Sequence, residues 1–272
     1  MENTVQAEEK TDTLENEKAV NIQGSMGNLY GLLALPDLGE NGKCPMVIFC
    51  HGFKGNLHYP LWAPIISQLN AQGIGALRFD FNGSGKSTGE FVNMTVPNEI
   101  DDLMNVISWV RSQPFTASIS LVGHSQGGVV AGMGAGECNE QIASLVLMSA
   151  AAVLRDDALR GNTQGTAYDP WHLDKEWYPL AGTFKLGRQY IQTAMNLPIY
   201  QTTAKYKGPA LIINGMADQV VPYTYAQRYK NILPQGTLII IPGENHSLNI
   251  APDYVIKLVS NWLIDELHPK EN

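Results

Sequence analysis

Short apolar segments recur along the chain and alternate with longer segments of helical character. Six of them are nearly continuous in apolar residues and end at turn residues, as is typical of strands buried on both faces of a parallel sheet. They are residues 45–50, 74–79, 118–123, 143–149, 210–214 and 237–241. Before them, the segments AVNIQG and LYGLLALP predict two short strands joined by the turn SMGN.

Helical patterns fill the stretches between the predicted strands. The predicted helices cover residues 61–72, 98–111, 126–136, 222–232 and 252–267. Several begin beside a proline or carry acidic residues in the first turn, which suits the unpaired N–H groups and the positive end of the helix dipole. The alternation of strands and helices predicts an α/β fold with a mostly parallel central sheet flanked by helices.

Two parts of the chain depart from this alternation. Residues 151–207 contain patches rich in Trp and Tyr without a regular strand–helix rhythm, and a structureless loop of that length is unusual in a compact domain. We therefore predict a cap inserted over one end of the sheet. Residues 1–18 are polar and mostly acidic, which predicts a disordered tail in front of a single domain at 19–272.

Composition limits the classes of function. The 272 residues carry a net charge of −8, from 18 basic and 26 acidic side chains, which argues against a nucleic-acid partner and against binding to an anionic membrane. No apolar run approaches the length of a membrane-spanning helix. No signal peptide is visible in the sequence as written. The expected location is therefore cytoplasmic, or secreted or periplasmic if a signal has been removed.

Neither a metal nor a cofactor is expected. Cys44, Cys50 and Cys138 are too widely spaced for a disulfide framework or a metal-ligand set, and the six histidines contain no H-E-x-x-H pair. The segment GSGKST at 83–88 looks like a phosphate-binding loop, but Asp80 occupies the position where that motif needs its first glycine. We therefore interpret the segment as a Gly-rich turn after a strand.

The strongest chemical signal is the segment LVGHSQGGVVAG, where Gly123-x-Ser125-x-Gly127 lies between a predicted strand and a predicted helix. A serine on such a sharp turn needs small neighbours two residues away on either side. The N-terminus of the following helix favours negative charge at the serine hydroxyl. The pattern predicts that Ser125 is a nucleophile.

A serine nucleophile needs a histidine base and an acid that orients it, and in this pattern the chain order is Ser, acid, His. His246 follows the last predicted strand, whereas His172 lies in the predicted cap and His268 lies near the C-terminus. We therefore predict that His246 is the base.

The predicted acid is Asp218, which follows the preceding strand along the chain. Glu244 is a rival, but it is only two residues from His246 on the same turn. Asp253 is a second rival. It lies at the start of the last predicted helix, where an acidic residue is explained by its favourable interaction with the helix dipole.

An oxyanion hole requires two backbone donors aimed at the developing negative charge. One is predicted to be the N–H of Gln126, directly after the nucleophile, and the other the N–H of Phe53 in the loop after strand 45–50. Gly52 allows this loop to turn inward without a side chain in the way. His51 is interpreted as a structural residue that hydrogen-bonds a neighbouring loop.

Several motifs together resemble the bacterial feruloyl (cinnamoyl) esterases of the α/β-hydrolase superfamily, over nearly the whole chain from about Asn21 onward. They are HGF, FDFNGSGKSTG, MTVPNEIDD, GHSQGG, GNTQGTAYDP, MADQVVP and GENHSL. The resemblance implies the α/β-hydrolase fold and hydrolysis of feruloyl, caffeoyl or p-coumaroyl esters through an acyl-enzyme, in the degradation of plant cell walls. It also implies that DFNGSGKS is the D-x-x-G-x-G-x-S turn of that superfamily.

The resemblance further implies that the cap binds the hydroxyls of the phenol ring, with Asp157, Gln164 and Tyr190 as candidate substrate-binding residues. A cap rich in aromatic and amide side chains independently suits a flat aromatic acid. The alternatives are that Asp157 and Gln164 are merely exposed and that Tyr190 is a packing residue.

The expected partner is a small-molecule aromatic ester or a feruloylated oligosaccharide, and a homodimer is left open. Three other functions also stay open. They are a general short-chain carboxylesterase, a small-peptide hydrolase of the same fold, and a non-catalytic binding module.

Overall fold

The computed structural model describes residues 13–39 and 42–268. Its strands are β1 (Glu17–Gly24), β2 (Gly27–Ala34), β3 (Cys44–Cys50), β4 (Gly75–Phe79), β5 (Thr116–His124), β6 (Leu145–Met148), β7 (Asn162–Thr163), β8 (Thr166–Ala167), β9 (Trp177–Pro179), β10 (Lys185–Gly187), β11 (Ala210–Gly215) and β12 (Gly236–Ile241). Its α-helices are α1 (Trp62–Asn70), α2 (Val96–Ser112), α3 (Gln126–Cys138), α4 (Val153–Arg160), α5 (Arg188–Ala194), α6 (Ile199–Thr203), α7 (Thr224–Ile232) and α8 (Pro252–Leu267).

Eight of the strands form one central sheet in the spatial order β1-β2-β4-β3-β5-β6-β11-β12. The first two strands form an antiparallel hairpin, and β2 is also antiparallel to β4. In this sheet, the neighbouring pairs along β4-β3-β5-β6-β11-β12 are all parallel, which confirms the predicted mostly parallel sheet. The carboxyl ends of the parallel strands meet at one edge, so the loops after β3, β5, β11 and β12 come together there.

Helices cover both faces of the sheet because successive side chains of a strand point to opposite faces. Along β3, Met46 and Ile48 pack into the core on one side and Val47 and Phe49 into the core on the other. The first core is closed mainly by α2, α3, α6 and α7, and the second by α1 and α8. This two-sided burial is why the strands are almost continuously apolar in the sequence.

The predicted strands and helices outside residues 151–207 are confirmed, with ends that differ from the prediction by two residues at most. The boundary of the predicted tail was wrong. Residues 1–12 lie outside the described part, but Glu17 and Lys18 begin β1. Glu17 is held by Arg78, whose Nε and Nη2 atoms donate to the two carboxylate oxygens at 2.7 Å each. Neither side chain is exposed to solvent.

This buried ion pair predicts a stability effect. The change Glu17→Ala should lower the free energy of unfolding by about 3 kcal/mol, because it removes the carboxylate from a buried guanidinium. Urea unfolding followed by circular dichroism measures the effect, with Lys18→Ala as the control, since Lys18 is exposed on the same strand. Equal unfolding midpoints for the two variants would contradict the prediction.

Residues 151–207, called the cap segment below, connect β6 to β11. They contain the short helices α4, α5 and α6 and two small antiparallel hairpins, β7–β8 and β9–β10, that do not join the central sheet. The segment begins directly after β6, so it starts at the edge where the carboxyl ends of the parallel strands meet. Among the helices that the structure describes, none has both the length and the apolar composition needed to cross a bilayer.

Candidate active site

Ser125 occupies a strained turn between β5 and α3. Its backbone has φ 55° and ψ −122°, a left-handed conformation that a side chain rarely adopts. The turn is held by surrounding backbone: Ser125 N donates to Met148 O, and Ser125 O accepts from the N–H of Gly128 and Ala151. The sharp turn directs the Ser125 side chain out of the strand–helix unit, toward the edge of the sheet.

The two flanking glycines are required by close backbone contacts. A Cβ atom at Gly123 would lie 2.2 Å from the carbonyl oxygen of Gly127, and one at Gly127 would lie 2.2 Å from that of Cys50. No side chain fits at those distances, so the G-x-S-x-G spacing follows directly from the packing of α3 against β3 and β5.

The structure brings the predicted base and acid to Ser125. His246, in the loop after β12, has its Nε2 atom 2.9 Å from Ser125 Oγ and its Nδ1 atom 2.9 Å from Asp218 Oδ2. The Asp218 side chain is fully buried, and that of His246 is 18% exposed. The hydroxyl, the imidazole and the carboxylate therefore form one continuous line of hydrogen bonds at the sheet edge.

The surroundings of the carboxylates separate Asp218 from its rivals. Asp218 Oδ1 accepts the N–H groups of Val220 and Val221 at 2.8 Å each, so only Oδ2 faces the imidazole. Glu244 is buried as well, but its oxygens bind backbone N–H groups at the start of α8. Asp253 lies in the first turn of α8. The geometry therefore favours Asp218 as the partner of His246.

The two rival histidines have other partners. His172 is exposed and pairs with Asp169 in the cap segment, and His268 contacts Gln72 O. His51 is buried, and its Nε2 atom accepts the N–H of Phe81 at 3.1 Å, in agreement with the interpretation of His51 as a structural residue. Burial lowers the pKa of His51.

Two side chains that sequence reasoning missed hold the loop of His246. His124 Nε2 lies 2.9 Å from the carbonyl oxygen of His246, and Tyr59 donates its hydroxyl to Ser247 O at 2.6 Å. The Tyr59 and His124 rings stack at 4.3 Å. Burial, followed by the nearby His246, lowers the pKa of His124 to about 3, so it stays neutral, with its proton on the nitrogen that faces the carbonyl. In the sequence, the one signal that pointed to His124 was its position directly before the nucleophile Ser125.

The predicted oxyanion donors lie beside Ser125. The loop after β3 passes so close that a Cβ atom at Gly52 would lie 3.0 Å from Ser125 Cβ. Within the described residues, the Phe53 N–H donates to no acceptor. The N–H of Gln126 is the first of α3, where an intrahelical acceptor is absent. Among the described residues, two N–H groups without an acceptor therefore lie near the serine.

An open cleft of about 900 Å³ leads to Ser125 and His246. Asp157 and Gln164 line its wall on the cap side. Gln164 lies at the tip of the β7–β8 hairpin with φ 48°, which leaves its side chain exposed. Asp157 is half-buried and pairs with Arg160 one turn further along α4, and burial raises the pKa of Asp157.

Tyr190 lines a second, inner pocket of about 30 Å³, which lies beneath the cap segment and also borders Ser125. It is buried, its ring lies 5.4 Å from the Phe53 ring, and its hydroxyl donates to Gln126 Oε1 at 2.8 Å. The pocket has room for about one water molecule. In the described conformation Tyr190 is therefore a wall of the inner pocket with a satisfied hydroxyl.

In the Gly-rich turn after β4, backbone N–H groups bind the side chain of Asp80. Asp80 accepts the N–H of Lys86 at 2.8 Å and that of Leu57 at 2.7 Å. The Lys86 ammonium lies over the Tyr30 ring, 4.9 Å from its centre. The turn thus joins the loop after β3 to the sheet, as the interpretation of a structural turn requires. Within the described ranges, no group of three His, Cys, Asp or Glu side chains is suited to hold a metal ion.

The chain is similar to several known proteins. A family model described as "Serine aminopeptidase, S33" matches residues 43–168. The chain is 26% identical over 247 residues to palmitoyl-protein thioesterase ABHD10, mitochondrial, of Mus musculus, covering 86% of this chain and 80% of the relative. It is 27% identical over 232 residues to the uncharacterized protein YfhR of Escherichia coli O157:H7, covering 82% of this chain and 72% of the relative.

Solved structures extend the comparison. Est1E from Butyrivibrio proteoclasticus with ferulic acid bound superposes with a TM-score of 0.86 at 27% identity, over 91% of this chain and 99% of that one. Mouse α/β-hydrolase domain-containing protein 10 superposes with a TM-score of 0.72 at 19% identity, over 93% and 99% of the two chains. The chain therefore has the α/β-hydrolase fold.

Proposed function

We propose that this α/β-hydrolase is a serine esterase that cleaves hydroxycinnamate esters, with Ser125 as nucleophile, His246 as base and Asp218 as orienting acid. The observation that carries the proposal is the unbroken line of two 2.9 Å contacts from Asp218 through His246 to Ser125. It is supported by the likeness to Est1E, which was solved with ferulic acid bound.

The first half-reaction forms an acyl-enzyme. Ser125 Oγ attacks the ester carbonyl carbon while His246 Nε2 takes the hydroxyl proton, and Asp218 stabilises the imidazolium that results. The N–H groups of Phe53 and Gln126 bind the oxyanion of the tetrahedral intermediate. Its collapse breaks the bond to the alcohol, which leaves with the proton from His246.

The second half-reaction releases the acid. Water gives a proton to His246 Nε2 and attacks the acyl-enzyme carbonyl, and the same two N–H groups bind the second oxyanion. Ser125 then regains its proton from His246 as the carboxylic acid leaves. The chain needs no further group for this sequence.

The acyl group is assigned to the side of the cap segment. Asp157 and Gln164 line that wall with Ser125, and their polar atoms suit the phenolic hydroxyl and methoxy groups of a hydroxycinnamate. Because the inner pocket is only about 30 Å³, an aromatic ring requires it to widen. The opposite part of the cleft is open enough for an alcohol as large as a sugar of a feruloylated oligosaccharide.

A thioesterase for long acyl chains is the second candidate, since ABHD10 of Mus musculus is named as a palmitoyl-protein thioesterase. The same triad would cleave a thioester. A palmitoyl chain, however, needs a long apolar channel, whereas the cleft carries Lys54, Asp157 and Arg160 and the inner pocket is only about 30 Å³. The charged cleft and the small pocket favour the aromatic ester.

Substrate preference tests the proposal. We expect kcat/KM on methyl ferulate to exceed that on p-nitrophenyl butyrate and on a palmitoyl thioester by at least about tenfold, because only the flat phenol gains the polar contacts of the cap segment. Labelling by a fluorophosphonate, mapped to Ser125 by peptide mass, controls for an active nucleophile. A preference for the butyrate or the thioester by the labelled protein would count against hydroxycinnamates.

A further inference from the structure

A buried chain of three polar side chains links the core to the cap segment beside Ser125. Glu99, in the first turn of α2, is 3% exposed. Gln126 Nε2 donates to Glu99 Oε2 at 2.8 Å, and the Tyr190 hydroxyl donates to Gln126 Oε1 at 2.8 Å. The chain therefore runs from α2 through the first residue of α3 to α5.

Both atoms of the Gln126 amide have a partner. Its oxygen faces the cap segment and accepts from the Tyr190 hydroxyl, and its NH₂ group faces Glu99 and donates to the carboxyl. All three side chains are buried. Removing either end leaves a buried amide atom without that partner, which is costly in a region closed to water.

This chain forms part of the inner pocket. Gln126 and Tyr190 line it together with Phe53 and Ser125, and the Phe53 and Tyr190 rings are in contact at 5.4 Å. The position of the Tyr190 ring decides how much of the pocket is available to an acyl group. That position is set by its hydroxyl bond to an amide that is itself held by Glu99.

We propose that Glu99 is a positioning residue for acyl-group specificity: through Gln126 it holds Tyr190 and α5 as a fixed wall of the inner pocket, so that the pocket widens for a flat aromatic acyl group on its other sides. This inference rests on the proposed function, and it concerns the choice of acyl group, not the chemical step. Glu99 lines neither the cleft nor the inner pocket.

The electrostatics of Glu99 agree with this role. Burial raises the pKa of Glu99 to about 8, an effect that the Gln126 hydrogen bond opposes and the nearby Asp102 increases. A carboxyl that keeps its proton places no charge beside the oxyanion donors. Glutamine has nearly the same shape and can accept the same hydrogen bond, so Glu99→Gln is the conservative replacement.

Three variants test the inference. Glu99→Leu and Tyr190→Phe should each lower kcat/KM on methyl ferulate about tenfold, mainly through a higher KM, because a loosened wall weakens binding of the ring in ground and transition states alike. On p-nitrophenyl acetate, whose acyl group does not reach the wall, Glu99→Leu should stay within about twofold of wild type. Glu99→Gln should keep kcat/KM on both substrates within about twofold of wild type, because its amide oxygen can accept the same hydrogen bond.

The matched control is Asp101→Asn, because Asp101 is an exposed carboxylate on the same helix. This variant should leave kcat/KM on both substrates unchanged. Thermal unfolding of each variant reports its folding, and Tyr190→Phe, which deletes a single oxygen, keeps the test valid if Glu99→Leu does not fold. Equal losses on both substrates by folded Glu99→Leu, or a kcat/KM on methyl ferulate that is unchanged in Tyr190→Phe or in folded Glu99→Leu, would overturn the inference.

Wild-type activity on methyl ferulate distinguishes failure of the Glu99 role from failure of the proposed function. A wild-type protein that prefers methyl ferulate, together with variants of unchanged preference, removes the role of Glu99 and leaves the proposed function standing. A wild-type protein that does not turn over methyl ferulate removes the proposed function and this inference with it.

Discussion

Replacing Ser125 with alanine is expected to lower kcat on methyl ferulate by about a million-fold. The Ser125 hydroxyl, 2.9 Å from His246 Nε2, is the group placed to form the acyl-enzyme. Without it, the site offers substrate binding and the N–H groups of Phe53 and Gln126, which by themselves leave a residual acceleration of about 10³ to 10⁴ over water. The activity that remains should show no burst of released alcohol.

Stopped-flow and steady-state hydrolysis of methyl ferulate measure this change. Ser112→Ala is the control, since Ser112 is an exposed serine at the end of α2, and it should behave as wild type. Activity of Ser125→Ala within about tenfold of wild type would show that another group attacks the ester, because loss of a triad nucleophile costs several orders of magnitude.

The change Asp218→Asn is expected to lower kcat by about 10⁴-fold with little loss of stability. Asp218 Oδ1 accepts two backbone N–H groups, from Val220 and Val221, so the asparagine must keep its oxygen there. Its NH₂ group then faces His246 Nδ1 and donates to it. The proton of the neutral imidazole therefore lies on Nε2, and a protonated Nε2 cannot accept the proton of the Ser125 hydroxyl.

The comparison with Asp253→Asn makes this result specific. Asp253 is a carboxylate in the first turn of α8, and its replacement should leave kcat unchanged. Both variants should be assayed between pH 6 and about 9, with unfolding midpoints measured in parallel. A mild loss in Asp218→Asn beside a large loss in Asp253→Asn would reassign the orienting acid.

Much of the site could be predicted because its signals are local. The elbow needs glycine at 123 and 127 for contacts as close as 2.2 Å, so the spacing around Ser125 is visible in the sequence. His246 and Asp218 could be selected because each follows a buried apolar strand, and parallel strands end at the same edge. The chain order of serine, acid and histidine then left few candidates.

Other features depend on residues far apart in the chain. The bond from His124 to the carbonyl of His246 spans 122 positions, and that between Tyr190 and Gln126 spans 64. No local pattern marks either partner. The start of β1 was misplaced for the same reason: Glu17 looks like part of an acidic tail until Arg78, 61 residues later, reaches it inside the protein.

The sequence by itself determined the order of strands and helices, the sharp turn at Ser125 and the candidates for base and acid, because periodicity and glycine spacing are properties of neighbouring residues. Only the tertiary structure decided which carboxylate meets the imidazole, which rings and amides close the inner pocket, and where the first strand begins. Those outcomes depend on burial and on hydrogen-bond partners, which exist only once distant segments have packed together.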